Sequence, residues 1–267
     1  MMLLFCYTLF MNDNDKLTDL INAGSDITGG VVGGVLGFLI AGPVGAAIGG
    51  GSAPIATSVI KKIGLEIKQR FIGPREEKRI GATIVYATEK IQSRLNNGEQ
   101  LRNDSFFNPT STDRSDADEV YEATILAAQR EHEEKKLRYY GNLVASLSFN
   151  VTFDKAQANQ LIRIASGLSW RQICILSLAH RKQNFSLRDS DYISEPTMTF
   201  DRIFLLDEVM ELYNKSLVVF GTNFLMGITG IHPSRIKLEG VGSHLYDMME
   251  LSTISNEDLE QLALLLR

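Results

Sequence analysis

The sequence predicts a mainly α-helical protein: an N-terminal membrane segment, a cytosolic helical domain and a small C-terminal α+β module of winged-helix-like order. Three observations carry that prediction. Residues 27–60 contain no Asp, Glu, Lys, Arg or His over thirty-four positions. From Ile80 onward apolar residues recur at three- and four-residue steps, the period of a helix face. Near the C-terminus "SLVVFG" and "RIKLE" read as two short strands set among helices.

Length and composition agree with this. At 267 residues the chain holds one large domain or two modest ones. A net charge of −5 argues against bulk nucleic-acid binding and leaves room for a local basic patch. The two cysteines, Cys6 and Cys174, make neither a disulfide framework nor a four-cysteine zinc site, which suits a reducing cytosol around the soluble part. The opening "MMLLFCYTLFM" lacks a basic n-region and a small-residue cleavage site, and "NDNDK" follows at once. It is a poor signal peptide and too short for a span. The favoured reading makes Met11 the start and residues 1–10 an over-extended one; the other keeps Met1 as the start and takes the segment as an interfacial anchor.

The charge-free run comes next. A helix needs about 20 apolar residues to cross the hydrocarbon core. Residues 27–60 are therefore too many for one straight span and rather few for two. Gly42-Pro43 is a natural kink or break, and "GGGSAP" offers a second. Residues 12–26 carry four aspartates and one lysine. Lys61 to Arg79 carries seven basic residues against three glutamates. In bacterial and ER membranes Lys/Arg-rich flanks stay cytoplasmic, which places the chain after Lys61 in the cytoplasm. One span puts the N-terminus outside; a re-entrant hairpin puts it inside.

Residues 61–95 are expected to form a basic juxtamembrane helix with Ile80, Ile84, Ala87, Ile91 and Leu95 on one stripe. Residues 96–116 read as a polar linker. The cytosolic domain then occupies 117–267. Residues 116–149 read as a long helix, with Gly141 the place where it could break. Ala156 to Ala165 is a short amphipathic helix. Another helix follows Ser169, whose spacing from Gln172 is that of a capping box. Residues 183–199 are a loop and Asp201 to Tyr213 a helix. The two strands follow, then a helix in "GVGSHLYDMMEL" and a last one with Leu259, Leu262, Ala263 and Leu266 on one face. A winged helix that reads duplex DNA needs a basic recognition helix. "DRIFLLDEVMELY" is acidic, so protein contact or a structural role is expected there, and no duplex DNA recognition.

The catalytic signatures fail one by one. A P-loop needs GxxxxGK[ST], since its lysine reaches the phosphates and its hydroxyl holds Mg²⁺. No lysine lies between Lys16 and Lys61. A dinucleotide fingerprint needs GxGxxG after a strand, and the run does not supply that spacing. His132 starts no HExxH. Cys174 and His180 stand six apart on one predicted helix, which suits a core thiol and a surface histidine better than a nucleophile and its base. Asp189 and Asp191 read as a solvated turn without a third ligand. The expectation is a protein that is not an enzyme, with no cofactor and no metal.

The register of the small residues is the positive signal. Gly29, Gly33, Gly37, Ala41, Gly45, Gly49 and Ala53 fall at consecutive four-residue steps. Residues four apart share a helix face, so the face is a groove without side chains. In water such a helix is weak, because each Gly costs roughly 0.8–1.0 kcal/mol relative to Ala. In lipid the backbone must bond to itself and the helix is enforced. Small faces then let helices approach closely.

"GGVVGGVLGFLIAGPVGAAIGGG" resembles the glycine-zipper segments of membrane-associated and pore-forming bacterial proteins. That resemblance covers residues 27–60. The layout of a short membrane part, a basic flank and a helical sensor is similar to small membrane effectors of bacterial anti-phage, abortive-infection systems. The resemblance implies a self-assembling effector, a homo-oligomeric channel or membrane-disrupting assembly gated by its cytosolic domain. Its partners would be the lipid bilayer, copies of itself, and a nucleotide or oligonucleotide signal or a regulatory protein. The alternative is a non-enzymatic interaction adaptor, membrane-tethered or soluble.

Two further sets of residues bear on regulation. Lys61, Lys62, Lys68 and Arg70 flank the membrane run, where contact with anionic lipid is the simple reading. In "KKLRYYGN", Lys135, Lys136 and Arg138 adjoin Tyr139 and Tyr140, cations for phosphate beside rings for stacking. The plainer and favoured reading of that stretch is a solvated helix turn meeting an aromatic core contact.

Overall fold

A computed structural model describes residues 55–68, 73–109, 113–195, 197–221 and 225–267. The small-residue positions Gly29, Gly33, Gly37, Ala41, Gly45, Gly49 and Ala53 lie outside the described residues, as do the N-terminal segment, Arg70 and the side chains of Lys61 and Lys68. The fold is mainly helical, with two short strands. Among the described residues no helix is long and apolar enough to cross a membrane. The chain divides into two units, one closing at Ser166 and the other running Gly167–Arg267.

The first unit contains five helices among its described residues: α1 (Ile55–Lys68), α2 (Pro74–Asn96), α3 (Asp116–Arg130), α4 (Leu137–Phe149) and α5 (Lys155–Ser166). In α1, Ala56, Val59, Ile60, Ile63 and Ile67 are buried at three- and four-residue steps, and the helix packs on α2 and α3. Ile55 to Ile60, expected as the end of the membrane run, therefore belongs to this helical unit. The basic helix expected over 61–95 is divided between α1 and α2. Gly73 and Pro74 open α2, and the Glu76 carboxylate accepts from the Gly73 amide at 2.7 Å. Proline at the first helical position removes an amide that would have no partner.

A single apolar stripe was expected on α2. Instead residues 80–85, 87 and 88 are buried around the whole helix, because α1, α3 and α4 all pack on it. Its partner α4 is buried from Tyr139 through Ser148. A helix apolar all round belongs in the interior. The two come close because Gly141 has no side chain. A β-carbon there would stand 2.6 Å from Tyr86 Cβ and 3.0 Å from the Thr83 carbonyl oxygen. Gly141 is thus a packing position and does not break a helix.

The break lies ten residues earlier. Helix α3 begins at a reciprocal cap: Ser115 Oγ accepts from Asp118 N at 3.1 Å, and Asp118 Oδ2 accepts from Ser115 N at 2.7 Å. It ends at Arg130, and Glu131 is extended. The run Glu131-His132-Glu133-Glu134 places carboxylates at a helix C-terminus, where the backbone dipole disfavours them.

Within the expected linker, 96–116, the described residues bring Phe106 and Phe107 into this unit's core. Phe106 and Phe107 form a 3₁₀ turn and are buried edge-on against Tyr121, with centroids 6.2 and 6.5 Å from its ring. Arg102 is buried as well. It donates to both oxygens of Asp104 and to the Leu147 carbonyl, and its guanidinium lies 4.1 Å from the Phe106 ring. Helix α5 closes the unit on α3 through Ala158, Leu161, Ile162 and Ala165. The short amphipathic helix expected at Ala156 to Ala165 thus belongs to the first unit, and the unit boundary falls after it.

The second unit is built around α6 (Trp170–Arg181), which is buried from Gln172 through Ala179. Ser169 Oγ accepts from Gln172 N at 3.0 Å, and Gln172 Oε1 accepts from Ser169 N at 3.1 Å, the reciprocal cap its spacing predicts. Around it stand α7 (Phe200–Asn214), β1 (Val218–Val219), β2 (Lys237–Leu238), α8 (Val241–Met248) and α9 (Asn256–Leu265). The strands pair antiparallel with Val218 opposite Leu238. At the start of α8 a β-carbon on Gly242 would meet the Leu217 carbonyl oxygen at 2.0 Å, so the helix sits directly on the strand's entry.

Candidate functional site

The densest polar cluster of the first unit sits where α3 turns into α4. Three elements supply it: the opening turns of α2, the corner 131–136, and the first turn of α4. Glu131 accepts from Tyr140 Oη at 3.0 Å and from the Glu133 amide at 3.0 Å, and it is paired with the Lys136 ammonium. Lys136 is 1% exposed and Tyr140 0%. Three residues after Glu131, Glu134 accepts from Arg75 through both oxygens, at 2.6 and 2.7 Å, and from Arg79 Nε at 3.0 Å. Arg79 also donates to the Gln129 carbonyl at 3.4 Å, one of the last in α3.

The electrostatics follow from burial and pairing. Burial alone would raise the Glu131 carboxyl, but Lys136, the Glu133 amide and Tyr140 outweigh it and hold the group below its ordinary value. Burial first, and the Glu131 charge second, push the Tyr140 hydroxyl far up, so it stays protonated and donates. At the other end of α3 burial also opposes ionisation of Asp118. The Ser115 amide, the Lys62 ammonium at 3.0 Å and the Ser115 hydroxyl overcome it and leave that carboxyl lowered. Such a cluster fixes a corner. Its lysine is bound to a carboxylate and its phenol is held neutral, so neither is poised as a nucleophile or base.

The predicted ligand stretch is therefore divided. Lys135 and Arg138 are exposed, and the charge of Arg138 acts on Glu89 of α2. Lys136, Tyr139 and Tyr140 point into the unit, with Tyr139 5% exposed. No ring of this stretch is open for a base to stack on, and its central cation is matched internally. The aromatic core contact is what forms.

Glu131, His132 and Glu133 bring ligand atoms within 4.8 Å of one another. A cation there would share Glu131 with the Glu133 amide on one oxygen and the Lys136 ammonium on the other.

Among the described residues the basic side chains of the flank and of early α2 are paired or buried. Lys62 pairs with Asp118, Arg75 and Arg79 with Glu134, and Lys78 is buried. The partners Glu131, Glu134 and Asp118 were not anticipated. One signal was present: arginines at 75 and 79 share a helix face, and an acidic run at 131–134 has the opposite sign. Nothing in the spacing says that the two meet.

In the second unit Cys174 is buried and His180 is exposed, stacked on Tyr246 at 4.0 Å. They form no nucleophile–base pair. Asp189 accepts from Ser234 Oγ at 2.6 Å, and Asp191 lies 3.7 Å from His232 Nε2. The aspartates thus pin their loop. Beside it Glu195 bridges Arg188 and Arg202, each at 2.9 Å, around the buried Tyr192 ring. No protein-family model, curated protein or solved structure matches this chain.

Proposed function

We propose that the protein is a membrane-inserted, self-assembling effector of the bacterial inner membrane, forming a channel or membrane-disrupting oligomer gated by its cytosolic helical units, in anti-phage defence. The observation that carries this reading is the register of small residues from Gly29 to Ala53 in a charge-free run. Ala56, Val59 and Ile60 are buried within the helical unit, which leaves residues 27–54 as the charge-free stretch ahead of the described helix. That length suits one kinked span of about 20 residues better than two full ones. A single span makes a pore only with neighbours, so homo-oligomerisation is part of the proposal.

The second unit is read as winged-helix-like in the order α6, α7, β1, β2, α8, with acidic α7 where a DNA reader needs a basic helix. Its task here is contact with a regulatory protein. That signal shifts the assembly only by binding its closed and open states unequally. The adaptor alternative is favoured by one observation, the exposed aromatic pair Phe200 and Phe204 on α7.

The test is expression in bacteria with membrane fractionation, growth and membrane potential. Wild type is expected in the membrane fraction, toxic and depolarising. The triple variant Gly33→Leu, Gly37→Leu, Gly45→Leu is expected to stay in the membrane and lose toxicity. A soluble wild type overturns insertion. Equal toxicity overturns the zipper mechanism. A membrane-bound, non-depolarising wild type favours the adaptor.

A further inference from the structure

The exposed face of α7 steps through Phe200, Ile203, Phe204 and Asp207, one row at helical spacing. Phe200 is 74% exposed and Phe204 48%, with ring centroids 4.6 Å apart. On α9 the corresponding row ends in Glu260 and Leu264, the latter 53% exposed. Arg202 Nε donates to the Leu265 carbonyl at 2.8 Å and so sets the start of α7 beside the end of α9. Phe200, Ile203 and Phe204 make an apolar row on α7, and Leu264 is exposed on α9 next to Leu265, the residue that the Arg202 bond holds. One turn away on each helix stands an exposed carboxylate, Asp207 or Glu260. Arg202 pairs with Glu195, Arg171 with Glu208 and Lys215 with Glu211, and Arg267 beyond α9 donates to the Ser186 carbonyl.

Clustered exposed aromatics with a polar rim mark contact surfaces. We infer that this face of the second unit docks an amphipathic helix of another protein, with an apolar ridge seated on Phe200, Ile203, Phe204 and Leu264 and Lys or Arg opposite Asp207 and Glu260. Charge selects this occupant. The chain's own residues 12–26, with four aspartates and one lysine, would meet like charge. A second copy presenting the same patch would bring carboxylates toward carboxylates, and an anionic membrane would be repelled by them. A helix with apolar anchors and basic flanks meets both halves of the surface. The inference stands whether or not the glycine run enters a membrane.

The test uses the full-length chain with phosphatidylcholine vesicles in every sample, titrated into two fluorescent fourteen-residue helical peptides. One is built of Leu and Lys, the other of Leu and Glu, with the same apolar face. The Leu/Lys peptide is expected to bind at least about tenfold more tightly than the Leu/Glu one. Phe200→Ser with Phe204→Ser should weaken it by about tenfold or more without changing the circular dichroism, since both rings are exposed. Asp207→Lys with Glu260→Lys should reverse the preference between peptides. Equal binding by wild type and both variants overturns the inference. Loss of phosphatidylglycerol-vesicle binding in the Phe variant, with peptide binding unchanged, overturns it in favour of a membrane surface. A Phe-dependent dimer that binds neither peptide overturns it in favour of a second copy.

Discussion

Gly141 of α4 lies directly against the backbone of Ala87 in α2, so closely that a β-carbon on the glycine would stand 2.9 Å from the Ala87 nitrogen. Both neighbouring constraints, Tyr86 Cβ and the Thr83 carbonyl, belong to the same stretch of α2. None is the far end of a flexible side chain. A methyl group can be admitted only by moving one helix from the other.

Gly141→Ala should therefore destabilise the protein by about 3 kcal/mol, the upper part of the usual range for overpacking. Gly64→Ala is the contrast. Its β-carbon would meet only the terminal methyl of Ile84, at 3.1 Å. Helix propensity favours alanine there by roughly 0.8–1.0 kcal/mol, so the net change should lie within about 1 kcal/mol. Chemical denaturation of both variants checks this. Equal losses would mean that Gly141 does not set the approach of α2 and α4.

The Glu131–Lys136 pair makes a second prediction. Lys136→Met leaves a buried carboxylate without its cation, and breaking a buried pair from one side costs about 3–5 kcal/mol. Glu131→Gln combined with Lys136→Met removes both charges and should recover most of that loss. A double-mutant cycle in denaturant measures it. Additive losses would place the two side chains out of contact.

The same carboxylate makes the unit acid-sensitive. Its folded pKa lies below the ordinary 4.5, so the unfolded chain binds the proton more readily. The stability it contributes is whole above that unfolded value and is lost as pH falls through the depressed folded one. Asp118, also lowered from 3.8, acts in the same direction. Denaturant midpoints between about pH 6 and pH 3 should fall steeply for wild type and more gently for Glu131→Gln. Parallel curves for the two would remove Glu131 from the acid transition.

What the sequence made legible was local. The cap at Ser169, the strand pair and the apolar face of α9 depend on residues three or four apart or on runs of β-branched side chains, and each forms where its spacing predicts. The corner at 131–136 was not legible, because nothing local says that Arg75 and Arg79 will come to meet Glu134. Gly141 misled for a related reason. A glycine within a helix reads as a weak point, and only the approach of α2 shows why it is there. The stretch from Lys135 to Tyr140 takes the plainer of its two readings, for a local reason. Adjacent residues of a helix face different ways, so a compact string of cations and rings is divided between solvent and core.

Residues 96–116 offer the sharpest discrimination between the two views of this chain. As a polar linker the segment would tolerate change, since few buried contacts would depend on it. In the fold it carries Phe106 and Phe107 against Tyr121, whose hydroxyl lies 2.5 Å from Ser148 Oγ on α4. Arg102 adds a bond from its amide to the Ser148 carbonyl at 3.0 Å. Phe106→Ala removes a ring that is 2% exposed, and cavities of that kind cost about 3–5 kcal/mol. Asn103→Ala, at an exposed neighbour, should change stability by no more than about 0.5 kcal/mol. Limited proteolysis gives an independent readout: wild type should resist cleavage over 101–108, and Phe106→Ala should admit it, because the segment opens once its anchor is gone. Rapid cleavage of the wild-type chain there, with no thermal cost to Phe106→Ala, would return the segment to the status of a linker and detach α2 from the aromatic cluster beneath α3.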